Sequence, residues 1–251
     1  MRLDDICLVN TDVTASDDFY REGVGLERRM RNVRFADFLI GDGPRLAMWM
    51  RPSIAETVGA AFPEAPGLPF RVTLELPSSE ALERAATLPS AVRLSPGPEH
   101  PVRWVVSDPD GFATVLTTSA TGRPRIAEIE LTVSDTARSF DFLERLGFVP
   151  RPHDGRMHFD GGNVTLTLID AAETSASPAE HASFTRNGGH LMLAIELATG
   201  EEVDALHADL TARGLVASGP PAVFEWGARS TYFIDPDGYI WEIYAWVDDP
   251  T

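Results

Sequence analysis

"AEIELTVSDTARSFDFLERLGFVP", residues 127–150, decides the fold, because "DDICLVNTDVTASDDFYREGVGLE", residues 4–27, follows the same plan. Each stretch predicts a strand, a turn, a short helix and a glycine that ends the helix. A second pair of stretches also corresponds, namely "VSDPDGFATVLTT" (106–118) and "FIDPDGYIWEIYA" (233–245). Matches that recur in the same order at nearly one offset indicate that the chain contains two related halves.

Each half divides again into two similar segments. A connection rich in Ala, Pro and Ser or Gly (51–69 and 171–189) separates an initial strand and helix from a second strand and helix. The second strands are "FRVTLEL" (70–76) and "HLMLAIEL" (190–197), and each leads into a helical pattern. The sequence therefore predicts an α+β protein of four βαβββ units. We expect two tandem domains, 1–119 and 120–251, joined near "SATGRPR".

Composition limits the classes of partner. The chain has 251 residues, 38 acidic and 21 basic, with a formal net charge of -17. This charge disfavours nucleic-acid binding, which needs clustered Lys and Arg, and it favours a cationic small molecule. Neither a signal peptide nor an apolar membrane span is evident, and the single cysteine, Cys7, fits a reducing compartment. We expect a cytoplasmic location, no membrane partner and no nucleic-acid partner.

The motifs resemble a known family. "V-S-D-x-x-x-S-x-x-F" with a following "L-G-F", and the terminal "D-P-D-G-x-x-W-E", are similar to those of the vicinal oxygen chelate (VOC) superfamily. That superfamily includes glyoxalases, bleomycin-resistance proteins and extradiol dioxygenases. The resemblance covers residues 126–246 well and the first half more loosely. It implies that each pair of units forms a half-open, eight-stranded barrel with a ligand cleft on its concave side. Members often form dimers, so a homodimer is also expected.

Strand alternation predicts which side chains face that cleft. In the strand after the second DPDG turn, the set that includes Trp241 and Ile243 is fully apolar, so we expect it to pack beneath helices. Glu242 would then point into the cleft. The same alternation sends four further residues to the concave side: Glu128, Glu130, His190 and Glu196. Four carboxylates and an imidazole are thus predicted to converge on one surface.

The resemblance implies a metal site in the second domain. Metal-binding members take ligands from the first strand of each unit and from the strand after the DPDG-like turn. Those positions fall on Glu128, His190 and Glu242. This set suits a divalent metal such as Zn, Mn, Fe, Ni or Co without choosing among them. Glu128 stands where ring-cleaving dioxygenases would be expected to carry histidine, which lowers the expectation of ring cleavage.

Catalytic groups follow from the same surface. A buried carboxylate such as Glu130 or Glu196 could act as a general base beside Glu242. Tyr232 lies ten residues before Glu242, where extradiol dioxygenases carry an active-site tyrosine.

The first half lacks an equivalent set of metal ligands. Its corresponding positions are Asp5, Arg71 or Pro69, and Val115, so the first domain is expected to be a metal-free copy. We expect Arg71 to form a salt bridge with Asp5 or Glu75.

Two functions remain open. One is a metal-dependent enzyme of the lyase, isomerase or dioxygenase type that acts on a small oxygenated molecule in the second domain. The alternative is a metal-free protein that binds and sequesters a small, cationic or aromatic, drug-like compound.

Overall fold

The repeated motifs form four units of the predicted kind. A computed structural model describes residues 1–96, 101–153, 156–173, 181–185 and 190–247. The first unit contains β1 (Asp5–Asn10), α1 (Val13–Asp18), β2 (Glu27–Arg31), β3 (Phe35–Leu39) and β4 (Arg45–Met50), followed by α2 (Arg51–Val58) in the connection. The second contains β5 (Phe70–Leu76), α3 (Ser79–Ala85), β6 (Val92–Arg93), β7 (Trp104–Ser107) and β8 (Ala113–Thr118). The third contains β9 (Arg125–Val133), α4 (Thr136–Arg145), β10 (Val149–His153), β11 (Arg156–Asp160) and β12 (Thr165–Asp170). The fourth contains β13 (Leu191–Glu196), α5 (Gly200–Ala212), β14 (Ala222–Val223), β15 (Ala228–Ile234) and β16 (Ile240–Trp246).

The first helix of each unit begins at a polar cap. The backbone N–H groups at the third position after the cap donate to side-chain oxygens of Asp12, Ser78, Asp135 and Thr199 at 3.0–3.2 Å. Such bonds satisfy donors that a helix start would otherwise leave unpaired. The repeated cap explains why the strand-to-helix turn recurs in every unit.

The sixteen strands form two mixed eight-stranded sheets, and this confirms the predicted α+β class. The first and fourth units build one sheet, in the order β14-β15-β16-β13-β1-β4-β3-β2, which we call the terminal sheet. The second and third units build the other, in the order β10-β11-β12-β9-β5-β8-β7-β6, which we call the central sheet. Antiparallel pairing of β1 with β13 and of β5 with β9 joins the units.

This pairing differs from the expected one, in which each half of the chain would build its own sheet. The boundary at residues 119 and 120 separates two sequence repeats, but both sheets draw strands from both halves. The physical reason is that all four leading strands carry similar alternation, so several antiparallel pairings bury equivalent faces. The short connection between β8 and β9 brings the third unit beside the second, and the fourth unit then pairs with the first.

Within each half, side-chain hydrogen bonds at the turns nevertheless hold the two units together. In the second half, the Asp237 carboxylate accepts hydrogen bonds from the Ser134 N–H at 3.0 Å and from the Ser139 hydroxyl at 3.0 Å. In the first half, Asp110 accepts from the Thr11 N–H at 2.6 Å, and Asp108 accepts from the Ser16 hydroxyl at 2.8 Å. The repeated motifs therefore mark contacts between units of one half, whereas strand pairing links units of different halves.

The predicted burial of one face of β16 is confirmed. Trp241, Ile243 and Ala245 are fully buried in the main core. That core also includes Val203 and Leu210 of α5. Among the described helices, none is long and apolar enough to cross a membrane.

The second DPDG turn gives a first test of the fold. Gly238 has φ +88°, and a Cβ placed on it would lie 3.2 Å from Cα of Gly67. We expect Gly238→Ala to lower the free energy of unfolding by about 2 kcal/mol, because a left-handed L-residue costs roughly 1–2 kcal/mol before the contact is counted. Urea denaturation measures the loss. Gly219→Ala is the control, since its Cβ would meet nothing within 4 Å; equal effects of the two substitutions would contradict the account.

Candidate functional site

Strand register places a polar row across one face of the terminal sheet. Tyr232 pairs with Glu242, Glu242 with Ala194, Ala194 with Asp5, and Asp5 with Arg45. Because paired residues in neighbouring strands point to the same side of a sheet, these side chains share one face. The small Ala194 separates the Glu242 carboxyl from the Asp5 carboxyl.

Glu242 lies at the base of this face and is 6% exposed. The Tyr232 hydroxyl donates a hydrogen bond of 2.8 Å to its Oε1 atom. Burial raises the pKa of Glu242 to about 7, and the bond from Tyr232 only partly opposes that shift. Near neutral pH the carboxyl therefore exists in both protonation states.

Arg45 supplies the cation at the other end of the row, but several carboxylates share it. Its guanidinium donates to Asp5 at 2.7 Å and to Asp37 at 3.3 Å, and it also contacts Asp4. Burial raises the pKa of Asp5 well above its ordinary value, although the charge of Arg45 opposes the shift. Because these carboxylates share Arg45, its charge stabilises the ionised form of Glu242 only weakly. Burial is therefore the main influence on the pKa of Glu242.

Aromatic side chains form a wall beside Tyr232, the hydrogen-bond partner of Glu242. The Trp49 and Trp226 rings meet edge to face with centroids 5.2 Å apart, and Phe224 stacks on Trp226 at 4.7 Å with an interplanar angle of 7°. Phe224 also meets Tyr232 edge to face at 6.0 Å. Trp226 and Phe224 are half-buried. The aromatic rings are therefore connected to the buried carboxyl of Glu242 through Tyr232.

The connection after β4 covers this face. Ile54 and Val58 of α2 are buried in one cluster with Cys7, Trp49 and Tyr232. The Trp49 Nε1–H group donates to the Ser53 hydroxyl at 3.1 Å, which fixes the start of α2 to the sheet. Cys7 is fully buried, and burial raises its thiol pKa well above the ordinary value, so it lacks the thiolate character of a reactive cysteine.

His190 anchors the same connection. Its Nε2 atom lies 2.8 Å from the Pro63 carbonyl oxygen and 3.0 Å from the Ala65 carbonyl oxygen, so Nε2 carries the proton and donates. Its ring also lies 4.6 Å from the Phe62 ring. Burial lowers the pKa of His190. An Nε2 atom that donates a proton in this way has no lone pair to offer a metal.

Two of the remaining predicted residues, Glu128 and Glu130, lie on the central sheet. Arg71 forms a two-pronged ion pair with Glu130, with Nη2 of Arg71 2.6 Å from Oε1 of Glu130. The expectation that Arg71 would pair with Asp5 or Glu75 was therefore wrong, since β5 pairs with β9 rather than with β1. Glu75 instead accepts two bonds from Arg125, at 2.7 and 2.8 Å.

Glu128 belongs to a separate hydrogen-bonded chain. The Thr167 hydroxyl donates to Glu128 at 2.5 Å and lies 2.8 Å from Nδ1 of His158. Burial raises the pKa of Glu128, with the neighbouring Glu130 adding to the shift.

The predicted convergence of Glu128, Glu130, His190, Glu196 and Glu242 on one surface was wrong. The first two belong to the central sheet, whereas the other three belong to the terminal sheet. The error follows from the assumption that the halves pair internally. Glu196, near the end of β13, is exposed with its Oε2 3.4 Å from the Tyr244 hydroxyl. Of the four predicted catalytic residues, only Glu242 and Tyr232 are in direct contact.

The donors present do not fit the predicted metal. Glu128 lies on a different sheet from Glu242, and His190, whose Nε2 atom donates to carbonyl groups, has only its Nδ1 atom left to offer a metal. Within the described ranges, no three His, Cys, Asp or Glu side chains are grouped so that they could hold a metal ion.

Arg45 was not identified from the sequence. Arg45 is the only charged residue in "RLAMWM" (45–50), and a lone arginine at the start of an apolar strand is a signal that a partner lies nearby. Its partners come from β1 and β3, and alternation within a single strand does not reveal them.

Comparisons with known proteins agree with this architecture. The family model described as Glyoxalase/Bleomycin resistance protein/Dioxygenase superfamily matches residues 125–243. Glyoxalase I from Zea mays is similar over 97% of this chain and 92% of its own, at 16% identity and a TM-score of 0.63. A putative dioxygenase from Bacillus subtilis is similar over 98% and 85%, at 12% identity and a TM-score of 0.62.

A glyoxalase/bleomycin resistance protein/dioxygenase from Nocardioides shares 34% identity over 50% of this chain and 85% of its own, with a TM-score of 0.42. No protein of curated function matches the sequence. The matched motifs and the arrangement of two eight-stranded sheets lead to one assignment: the chain belongs to the glyoxalase/bleomycin resistance protein/dioxygenase superfamily.

Proposed function

We propose that the chain binds a planar, cationic organic molecule on the face of the terminal sheet that carries Glu242, without a divalent metal. The observation that carries this proposal is the environment of Glu242. Its carboxyl is buried and accepts a hydrogen bond from Tyr232, and Tyr232 in turn packs in a cluster with Trp49, Phe224 and Trp226. An aromatic ring of the ligand would stack on Trp226 while its cationic group approached the carboxyl.

Charge supports a cation over an anion. Asp4, Asp5 and Glu196 lie on the same sheet near Glu242, and Arg45 is the cation that they share. A cationic ligand would relieve repulsion among these carboxylates and would favour the ionised form of Glu242. The formal charge of -17 would also speed the approach of cations at low salt.

Entry requires the covering connection to move. Ile54, Val58 and Phe62 fill the space above Cys7 and Tyr232. A ligand that reached Glu242 would displace these side chains, and it would replace their apolar contacts with contacts to its own rings.

Proflavine, a planar cationic dye, tests the proposal through tryptophan fluorescence. We expect saturable quenching that persists in EDTA and weakens as salt increases. Glu242→Gln should raise the Kd roughly tenfold, since a charge-assisted bond contributes about 1.5–3 kcal/mol. Trp226→Phe should remove most of the quenching, because Trp226 is the more exposed of the two tryptophans, Trp49 and Trp226, whose rings are in contact.

Trp246→Phe is the matched control, because Trp246 is half exposed at the end of β16 and lies outside the cluster around Glu242. Quenching that disappears in EDTA, or that Trp246→Phe reduces as much as Trp226→Phe does, would contradict the proposal.

Proton-transfer catalysis is a second candidate, and the pKa of Glu242 near 7 favours it. A carboxyl with that pKa is suited to remove a proton next to a carbonyl at neutral pH, and Tyr232 would orient it. Incorporation of solvent deuterium into hydroxyacetone, followed by NMR, separates this function from binding alone. Exchange that rises through pH 7 and is lost in Glu242→Gln would favour catalysis.

A further inference from the structure

A separate cavity of ≈ 440 Å³ lies where the two sheets meet at their edges. The turn between β3 and β4 of the terminal sheet forms one wall, through Asp42 and Gly43. The linker between the halves and the strands β9 to β12 of the central sheet form the others. The cavity includes none of the residues around Glu242, so it is distinct from the site proposed above.

Contacts between the sheets hold the walls in place. The Asp42 carbonyl oxygen accepts a hydrogen bond of 3.0 Å from Arg2 and one of 2.6 Å from the Asn163 side-chain amide. The Leu3 N–H group donates to the Gly161 carbonyl at 3.0 Å. The cavity is therefore formed before any ligand arrives, which lowers the entropic cost of binding.

The lining is rich in arginine for an acidic protein. Three arginines, Arg123, Arg125 and Arg151, contribute to the walls; Arg123 and Arg151 are paired with the lining carboxylates Asp42 and Asp160, and Arg125 is paired with Glu75. His158 also lines the cavity. The whole chain has a formal charge of -17, so three arginines around one cavity are unusual for this protein. Each of the three guanidinium groups has a carboxylate partner, so an anion would bind by competing with Asp42 or Asp160 for its arginine.

The outer arginines are suited to such a ligand. Arg123 lies 3.4 Å from Asp42, and Arg151 contacts Asp160; the two arginine side chains are 75% and 69% exposed. Exposed pairs of this kind contribute only about 0–1 kcal/mol, so an incoming oxyanion can compete for the guanidinium. Each guanidinium carries five N–H donors in a planar fork that matches carboxylate and phosphate oxygens.

We propose that this cavity binds a small molecule through a carboxylate or phosphate group held by Arg123 and Arg151. The side-chain hydroxyls of Thr121 and Thr165, which also line the cavity, supply further donors for the ligand's oxygens.

Calorimetric titration of the full chain with inorganic phosphate, and separately with succinate, tests the proposal. We expect saturable binding of at least one anion, and the two titrations show which oxyanion the cavity prefers. The double variant Arg123→Gln/Arg151→Gln should raise the Kd by about tenfold or more. Circular dichroism and the Tm establish that the variant is folded.

Arg84→Gln/Arg138→Gln is the matched control, because it makes the same change in net charge at exposed helical positions away from the cavity. It should leave the Kd within about twofold. The proposal is overturned if neither anion binds saturably, or if the two double variants lose affinity equally. Proflavine quenching should persist in Arg123→Gln/Arg151→Gln, so failure here is distinguishable from failure at Glu242.

Discussion

Arg71→Met is expected to lower the free energy of unfolding by about 3–5 kcal/mol, the range for breaking a buried ion pair by removing one partner. The side chains of Arg71 and Glu130 are only 12% and 3% exposed. Without the guanidinium, the Glu130 carboxylate would remain buried, and among the residues that the structure describes only Arg156, at 3.8 Å, would be left as a charge partner. Loss of the contact between Arg71 and the Phe184 ring, at 4.5 Å, adds to the cost. Urea denaturation at pH 7 measures the change.

The double variant Arg71→Met/Glu130→Met separates charge from packing. It should be more stable than Arg71→Met alone, because it removes the uncompensated carboxylate as well. Arg151→Met is the surface control, and it should change stability by less than about 1 kcal/mol. If the double variant were no more stable than Arg71→Met, the buried charge would not be the cause of the loss.

Glu242→Gln is expected to stabilise the protein at pH 8 by up to about 3 kcal/mol, and to have little effect below pH 4.5. The folded-state pKa of Glu242, about 7, is above the ordinary value of 4.5, so the folded state binds this proton more tightly than the unfolded state does. The resulting stability is fully present below pH 4.5 and is lost as the pH rises through 7. Glutamine keeps the shape and an acceptor for Tyr232, and it does not ionise.

Unfolding free energies at pH 5, 6, 7 and 8 measure this effect as the difference between the two proteins. Burial also raises the pKa of Asp235 to about 7, so a second carboxyl titrates in the same pH range in both the unmodified protein and the variant. Subtracting one profile from the other isolates Glu242. Glu22→Gln, at an exposed position, is the control and should give parallel profiles. A constant difference between Glu242→Gln and the unmodified protein across all four pH values would show that Glu242 does not titrate in this range.

Much of the architecture could be predicted from local signals. Asp12 and Asp135 cap equivalent helices, and Gly111 and Gly238 close equivalent turns with φ near +87°. Such features act over a few residues, so a single sequence contains all the information needed to place them. Alternation also predicted correctly that Trp241 packs in the core while Glu242 faces the opposite side.

Partners that lie far apart in the chain could not be predicted in this way. Arg71 was expected to contact Asp5 or Glu75, but its partner is Glu130, across the pairing of β5 with β9. Alternation determines the face on which a side chain lies, but it carries no information about which strand lies beside it. The same limit placed Glu128 with Glu242, although the two residues lie on separate sheets.

The terminal sheet is discontinuous in the sequence, because it is built from the first and fourth units. All strands of the central sheet lie between these two units along the chain. During synthesis, residues 1–50 leave the ribosome long before β13 and β16 exist, so the edge of β1 that pairs with β13 has no partner until residues 191–196 have been made. The central sheet, by contrast, is built from one continuous stretch and can fold first. Once folded, it holds the outer units close together and shortens the effective loop that must close to join β1 to β13.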